Sequence, residues 1–393
     1  METVSRSPIY SHFTETLNGC SVIRSFGKED LFVREAERKV DENQACFYYS
    51  FVSSRWLAIL IETIGNIITF MVSIFVLNSG GNVSPSEVGL LLVYALNITM
   101  TLNMLVVSTA DIETNIVAVE RIMEYGRLIQ EADWESKEGE RPPQGWPDKG
   151  KVTFEKYEMR YREGMDLVLK SISFDINEGE KIGIVGRTGA GKSSLTLAIF
   201  RLVEASGGKI VIDDRNTADI GLHDLRKQIT IIPQDPVIFS GSIRRNLDPF
   251  DEYTDDQLWK SLTQSHLSSY VSSKDEGLEH VITEGGENLS VGQRQLLCLA
   301  RALLRKTKIL VLDEATAAVD LETDDLIQNT ISTEFHDCTI FTIAHRLNTI
   351  MEYDKIMVLE DGKIAEFDNV SNLMSSTNGI FYSMAKESGL VQK

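Results

Sequence analysis

The chain has 393 residues, enough for two or three domains, and its hydrophobic content of 42% is ordinary for a globular protein. It carries 58 acidic and 39 basic residues, which gives a formal net charge of -19. This acidic balance argues against a nucleic-acid partner, because a nucleic-acid-binding surface would be basic. The cysteines are scattered without CxxC spacing, so we interpret them as reduced thiols rather than disulfides or metal ligands: Cys20, Cys46, Cys298 and Cys338.

Two long apolar runs lie in the first third of the chain, at about 56–77 and 88–107. Each has about the twenty residues that a helix needs to cross a bilayer. The alternative is a pair of buried core helices, which the length of the runs and their near lack of charge disfavour. Basic residues flank both runs but are absent from the loop between them, so both ends are predicted to be cytosolic. Glu62, inside the first run, is interpreted as a helix-packing partner, with a substrate contact as the alternative.

The remaining sequence before residue 150 divides into helix and linker. Residues 7–44 are polar and helix-rich, and apolar residues recur every three or four positions over 111–129, which predicts a helix that continues out of the membrane. Periodicity is lost from about 131 to 148, where Pro142, Pro143 and Pro147 occur. We therefore predict an all-α membrane segment with two transmembrane helices at 1–130, a linker at 131–150 and a further domain at 151–393.

From residue 151 onward, short runs rich in β-branched residues alternate with helical patterns. This pattern predicts an α/β domain with a largely parallel central sheet. The predicted strands are 152–154, 167–176, 181–185, 210–212, 229–232, 309–312, 339–343 and 356–359.

A glycine-rich sequence after the third predicted strand carries the clearest chemical signal. The run Gly186-Arg187-Thr188-Gly189-Ala190-Gly191-Lys192-Ser193 fits GxxxxGK[ST] and precedes a helical run from Ser194. These residues, Ser194 included, are the candidate ATP-binding residues. Backbone N–H groups of such a loop surround phosphates, and the following helix N-terminus adds partial positive charge. Lys192 would pair with the β- and γ-phosphates of ATP, and Ser193 would bind Mg²⁺. The alternative is a chance match in a glycine-rich turn, which the strand–loop–helix context disfavours.

A hydrophobic strand that ends in two acids follows farther along the chain, at Ile309–Glu314. Many buried strands end in Asp-Glu, so this motif has meaning only beside the phosphate loop. With that loop present, Asp313 is a candidate for the metal site, directly or through water. Glu314 is then the candidate base that polarises an attacking water.

Between these two motifs lies Leu289-Ser290-Val291-Gly292-Gln293, followed by an alanine- and leucine-rich run. Alone, these five residues would indicate only a polar helix start. In the company of the other two motifs, they resemble the signature loop of ABC transporters. In that family the loop opens a helix whose N-terminus caps the γ-phosphate of ATP bound to the opposite nucleotide domain. The resemblance implies a P-loop NTPase fold of the ABC ATPase type, with antiparallel β and helical subdomains.

Further residues match other motifs of the family. The resemblance implies that Tyr161 stacks on adenine, with a surface tyrosine in a strand as the alternative. Gln234 would contact Mg²⁺ and water, and Asp320 would lie on a loop that crosses the dimer interface. His345, after a predicted strand, would contact the γ-phosphate.

Segments outside the ATP site resemble one branch of the family, the C subfamily or multidrug resistance-associated proteins. These segments are 7–13, 22–26, 113–121 and 221–226. The resemblance implies that the first is a cytosolic coupling helix and that the chain is the C-terminal part of a longer protein. The implied partners are a second nucleotide domain, the remaining membrane domains and membrane lipid. The resemblance also implies a multi-pass protein of the plasma membrane whose nucleotide domain lies in the cytosol.

One residue departs from the general ABC pattern. Val291 stands where the signature LSGGQ has a glycine. In the C subfamily this is common in the second nucleotide domain, whose signature faces the weaker ATP site. The resemblance thus implies that this chain gives its catalytic residues to the competent site and a weakened signature to the other.

The resemblance implies an ATPase that drives export of amphipathic or anionic organic compounds. Relatives that export conjugates carry tryptophan and arginine where this chain has Met104 and Val107, and arginine in place of Leu60. This loss of cationic groups weakens the expectation of glutathione- or glucuronide-type cargo. An ATP-gated channel or regulator of the same subfamily is the alternative. A soluble DNA-repair ATPase is disfavoured, because only about a hundred residues without sustained heptads separate Ser193 from Leu289.

Overall fold

The computed structural model describes residues 2–79, 84–313, 320–344 and 346–390. The chain forms two compact units, Met1–Ile129 and Gln130–Lys393. The N-terminal unit is helical, and the C-terminal unit is built of mixed sheets and helices. This is the fold class that the sequence predicts.

In its described part, the N-terminal unit contains two long helices preceded by two shorter ones. They are α1 (Glu2–Asn18), α2 (Cys20–Ser25), α3 (Glu29–Asn78) and α4 (Pro85–Tyr125). α4 begins with a capping box, in which Ser84 and Glu87 satisfy each other's backbone N–H groups. It continues through residues 111–125 without a break, as the apolar spacing predicts.

Two stretches of these helices are long and apolar enough to cross a membrane. They lie within Glu29–Asn78 and Pro85–Thr109, with mean hydropathies of 2.1 and 2.0. Only 11% and 6% of the residues in these apolar windows are buried inside the structure. A core helix would be mostly buried, so the alternative of two core helices does not fit.

Within its described residues, the strands of the C-terminal unit form a six-stranded sheet, a four-stranded sheet and a two-stranded ribbon. The bounds are β1 (Val152–Met159), β2 (Leu169–Ile176), β3 (Lys181–Gly186), β4 (Gly207–Ile212), β5 (Arg215–Asn216), β6 (Ile229–Ile232), β7 (Gly241–Ser242), β8 (Val281–Ile282), β9 (Ile309–Asp313), β10 (Thr339–Ile343), β11 (Lys355–Glu360) and β12 (Lys363–Asp368). The eight predicted runs all correspond to strands.

The six-stranded sheet has the order β12-β11-β3-β10-β9-β6. Every neighbouring pair in it is parallel except β11 with β12. Side chains on its central strands are almost wholly buried, as is usual for parallel strands covered on both faces. The four-stranded sheet, β2-β1-β4-β5, is antiparallel throughout.

Helices follow most of the central strands. Those of the C-terminal unit are α5 (Lys192–Ile199), α6 (Leu222–Arg226), α7 (Ile243–Leu247), α8 (Asp255–Gln264), α9 (Ser268–Ser272), α10 (Val291–Arg305), α11 (Leu321–Glu334), α12 (Val370–Ser375) and α13 (Ile380–Glu387). α7 to α11 share a hydrophobic core with β6, β9 and β10, built around Leu258, Leu262 and Leu299.

The linker segment, residues 131–150, has no helix or strand, but it packs on the C-terminal unit. The indole of Trp146 is buried and its Nε1 donates to Ile212 O at 3.3 Å. The carboxylate of Asp213 accepts hydrogen bonds from three successive backbone N–H groups at 149–151. Near its start, the backbone oxygens of Asp133 and Trp134 accept from the first residues of α6. The segment is therefore a docked part of this unit.

Candidate functional site

Several candidate site residues lie at the carboxyl ends of neighbouring strands in the six-stranded sheet. β3, β10, β9 and β6 are neighbours, and their pairings align Ile184 with Ile343, Ile343 with Asp313, and Leu312 with Ile232. Their carboxyl ends therefore lie side by side. Ligands of open α/β sheets bind at the carboxyl ends of the strands.

The phosphate loop leaves β3 at Gly186 and enters α5 at Lys192. Gly191, the residue before the helix, has φ 103°, a left-handed conformation that favours glycine. Lys192 lies back across the loop, and its Nζ donates to Gly186 O at 2.8 Å and Arg187 O at 3.2 Å. The loop is thus closed around its own lysine, directly before a helix N-terminus that favours phosphate.

A hairpin distant in sequence supports the phosphate loop. Gly362, in the turn between β11 and β12, donates its N–H to Ala190 O at 3.1 Å and accepts from Lys170 N at 2.8 Å. A Cβ on Gly362 would stand 2.1 Å from Val168 O. The start of β2, this turn and the loop are therefore in close contact, and Gly362 is a supporting residue that the sequence analysis missed. The Asp361-Gly362 pair between two apolar runs is a hairpin signal that could have identified the turn.

Tyr161 lies in the loop between β1 and β2, not in a strand. Its side chain is half exposed, and its hydroxyl lies 2.8 Å from the hydroxyl of Ser194 in the first turn of α5. The expected adenine-stacking ring is therefore beside the helix that begins at the phosphate loop.

Asp313 is the last residue of β9, and Gln234 follows β6 by two residues with an exposed side chain. The segment 233–239 is held by α10. Gln295 donates to Pro233 O at 3.2 Å, and Arg301 donates to Val237 O at 2.7 Å and Asn246 O at 2.6 Å. Burial lowers the pKa of the Arg301 guanidinium, although it remains a cation at neutral pH. The segment that carries Gln234 is thus tied to the helix that follows the signature.

The signature residues form the start of α10. Ser290 is the N-cap, its Oγ accepts from Gln293 N at 3.1 Å, and Gln293 Oε1 accepts from Ser290 N at 3.0 Å. Leu289 is buried, whereas Val291 is 38% exposed at the helix start. Ser290 and Val291 are thus exposed at the helix start, whereas Gly292 is buried.

The remaining predicted residues lie near the next helix or outside the described residues. Asp320 is the N-cap of α11, and its carboxylate accepts from Thr323 N at 3.1 Å. This bond and one from the Thr323 hydroxyl hold the pKa of Asp320 below its usual range. Glu314 and His345 lie outside the described residues. Arg346, next to His345, pairs with buried Asp324 of α11 at 2.8 Å.

The candidate metal ligands at the carboxyl ends of these strands fit a hard cation better than a soft one. The hydroxyl of Ser193, the carboxylate of Asp313 and the amide oxygen of Gln234 are oxygen ligands of the kind that Mg²⁺ prefers. Among the described residues, no three His, Cys, Asp or Glu side chains form a metal-holding group.

Two family models match the chain. The ABC transporter model matches residues 169–317, which include the phosphate loop, the signature and Asp313. The ABC transporter transmembrane region model matches residues 2–102, which include both apolar stretches. The chain thus contains an ATP-binding domain of this type, preceded in sequence by part of a membrane domain.

Several curated proteins are similar along nearly the whole chain. ATP-binding cassette sub-family C member 3 of Mus musculus is 54% identical over 99% of this chain, and member 2 of Homo sapiens is 56% identical over 99%. Multidrug resistance protein mrp-7 of Caenorhabditis elegans is 56% identical over 98%. The chain spans only about a quarter of the length of each, 26%, 25% and 26% respectively. Identity at this level, together with both family models, places the chain in the C subfamily of ABC transporters.

Proposed function

We propose that this chain binds Mg-ATP at the phosphate loop and hydrolyses it as part of an exporter of amphipathic or anionic organic compounds. The observation that carries the proposal is that the loop follows β3, Asp313 ends β9 and Gln234 follows β6 by two residues, at the same end of one sheet. A phosphate cradle beside oxygen ligands meets the needs of a magnesium-bound triphosphate.

The phosphate loop would bind the triphosphate through residues 186–193, and Ser194 would take part in nucleotide binding from the first turn of α5. Lys192 would exchange its contacts with the carbonyls of Gly186 and Arg187 for the β- and γ-phosphate oxygens, which are stronger acceptors for an ammonium group. Ser193, Gln234 and Asp313 would hold Mg²⁺, directly or through water. When bound, Mg²⁺ neutralises charge on the phosphate oxygens. Tyr161 would stack on adenine.

Hydrolysis would use the two residues that lie outside the described parts. Water attacks the γ-phosphorus, the bond from this phosphorus to the β–γ bridging oxygen breaks, and ADP and phosphate result. Glu314, directly after the last residue of β9, would accept the proton of the water. His345, two residues after β10, would contact the γ-phosphate.

The signature loop would act on a second nucleotide domain. Ser290 is exposed at the start of α10, where a helix dipole favours an anion supplied by a partner. Gly292, in the first turn, is buried and would act through its backbone N–H. Asp320 would lie on the loop that crosses the same interface. Because Val291 adds a side chain at this end, we expect the site that receives this signature to be the weaker of two.

The membrane part would contribute two transmembrane helices to a multi-pass protein of the plasma membrane. The nucleotide domain would lie in the cytosol. Leu60, Met104 and Val107 place no cation at these positions in the two helices. The proposed cargo therefore relies on apolar contact more than on anion pairing.

The test is Glu314→Gln in the full-length protein. We expect ATP binding to persist and ATP turnover to fall at least about a hundredfold, since general-base catalysis contributes at this scale. Glu287→Gln, an exposed change outside the proposed catalytic set, is the control and should leave turnover unchanged. Unchanged turnover in Glu314→Gln would remove the assignment of the base.

A second measurement tests the dependence on a partner. This chain alone, dilute and monomeric in detergent, should bind ATP but turn it over slowly, because it lacks an opposing signature. Rapid turnover that does not depend on chain concentration would contradict the proposal.

A further inference from the structure

A hydrogen bond joins the adenine-side loop to the phosphate-side helix. The hydroxyls of Tyr161 and Ser194 lie 2.8 Å apart, although the residues are 33 positions apart in sequence. Tyr161 is 46% exposed, whereas Ser194 is 4% exposed. One partner is therefore fixed in the packed structure, and the other stands at the surface.

We propose that Ser194 is a positioning residue for nucleotide binding, whose hydroxyl holds the Tyr161 ring in place to receive the base. This inference rests on the proposed function, because it assumes that ATP is the ligand of the loop. It adds a role for Ser194 that is separate from any contact of this residue with phosphate.

The Ser194 side is rigid for clear reasons. Ser194 follows Lys192 by two residues in the first turn of α5, and Leu195 beside it is fully buried. The N–H of Leu195 donates to Gly191 O at 3.1 Å, which ties this turn to the phosphate loop. A group bonded to Ser194 therefore has a fixed distance from the loop.

The Tyr161 side has little else to hold it. The loop between β1 and β2 is closed at its base by Val168 N to Met159 O, 2.8 Å, and neighbours such as Glu163 and Met165 are exposed. In the described parts of the chain, the bond to Ser194 is the hydrogen bond found for the Tyr161 side chain. Without this hydrogen bond, the ring would be free to move until a base binds. Binding would then have to order the ring, and the lost conformational entropy would weaken the affinity.

The hydrogen bond leaves the face of the ring available. A phenol bonded through its hydroxyl is anchored at one end, so a flat base can still stack on its π-surface. Removing the bond should therefore weaken ATP binding without abolishing it. The expected loss is about two- to tenfold, the range of one net hydrogen bond.

Direct contact between Ser194 and a phosphate is the competing explanation. The two roles differ in which ligands they affect. A positioning role requires a base on the ligand, whereas a phosphate contact does not. Inorganic tripolyphosphate, which carries the phosphates but no base, separates them.

The experiment uses the chain in detergent and four variants: Tyr161→Phe, Ser194→Ala, the double variant and Ser194→Thr. Dissociation constants are measured by calorimetry for Mg-ATP and for Mg-tripolyphosphate. We expect each single loss of a hydroxyl to weaken ATP binding by a similar factor, the double variant to be no weaker than either, and Ser194→Thr to bind as the wild type does. Tripolyphosphate binding should be the same in all.

Three outcomes would overturn the inference: unchanged ATP affinity in Tyr161→Phe, additive losses in the double variant, or weaker tripolyphosphate binding in Ser194→Ala. The proposed function fails separately. If the wild-type chain binds neither ligand, the phosphate loop is not an ATP site; if it binds both and the losses are additive, only the role of Ser194 is wrong.

Discussion

Replacing Gly362 with alanine should damage the phosphate loop from outside the motif. Gly362 has φ +77°, and a Cβ there would stand 2.1 Å from Val168 O and 3.0 Å from Val168 C. The obstacle is backbone, so the side chain cannot rotate away from it. The turn between β11 and β12 must move, and the hydrogen bond from Gly362 N to Ala190 O must lengthen or break.

The size of the effect follows from two costs. A non-glycine residue in the left-handed region costs about 1–2 kcal/mol. Forcing an extra methyl group into a packed contact costs about 1–3 kcal/mol more. Gly362→Ala should thus lower the free energy of unfolding by about 2–5 kcal/mol.

Gly179→Ala is the matched control. Gly179 lies in another turn between strands, has a similar φ of +70°, and has open space where its Cβ would be. It should lose only about 1–2 kcal/mol. Urea unfolding of the detergent-solubilised chain, followed by tryptophan fluorescence, measures both. ATP affinity should fall in Gly362→Ala alone, and equal unfolding midpoints for the two variants would refute the close approach of this turn to β2.

Three further predictions concern other parts of the C-terminal unit. Burial alone would raise the pKa of Glu180, but hydrogen bonds, led by the one from Lys355, outweigh burial and hold this pKa below its usual value. Glu180→Gln should therefore lower the stability of the fold to urea at pH 7. The difference from wild type should shrink as the pH falls below about 4, where the carboxylate becomes protonated. Gly221→Ala would place a Cβ 2.3 Å from the backbone of residues 135–136, so it should speed hydrogen exchange in the linker segment while ATP affinity stays the same. Arg301→Leu leaves the backbone oxygens of Val237 and Asn246 without this donor, and it should lower the free energy of unfolding in urea by at least about 2 kcal/mol. Hydrogen exchange at residues 233–246 should become faster. Protection equal to that of the wild type would contradict the contact between this segment and α10.

Local pattern located most of the strands, both long apolar helices and the glycine-rich loop after β3. Runs such as Ile309–Leu312 are apolar throughout because both faces of the sheet are covered, so they are visible in the sequence. β12 was missed, since Lys363–Asp368 lies at the sheet edge, is partly exposed and carries charges among its apolar residues. The two-residue strands are too short to have a pattern.

Contacts between distant residues were the part that could not be predicted. The prolines and lost periodicity at 131–148 correctly indicated a segment without helix or strand. They gave no sign that it packs, because Asp213 and Ile212, which hold it, lie more than sixty residues away. Ser194 was identified by its place after the phosphate loop, whereas its bond to Tyr161 depends on how a separate hairpin folds back.

The hold of α10 on the segment that carries Gln234 has a consequence for a pair of such domains. The N-terminus of α10 would face the nucleotide of the partner domain. One and three turns farther along, Gln295 and Arg301 hydrogen-bond to the segment 233–239, which would lie beside the nucleotide of the same domain. A single rigid helix would then report on two nucleotides at once. Occupancy of either site should change the affinity of the other, and by thermodynamic reciprocity the free energy of that coupling is the same in both directions.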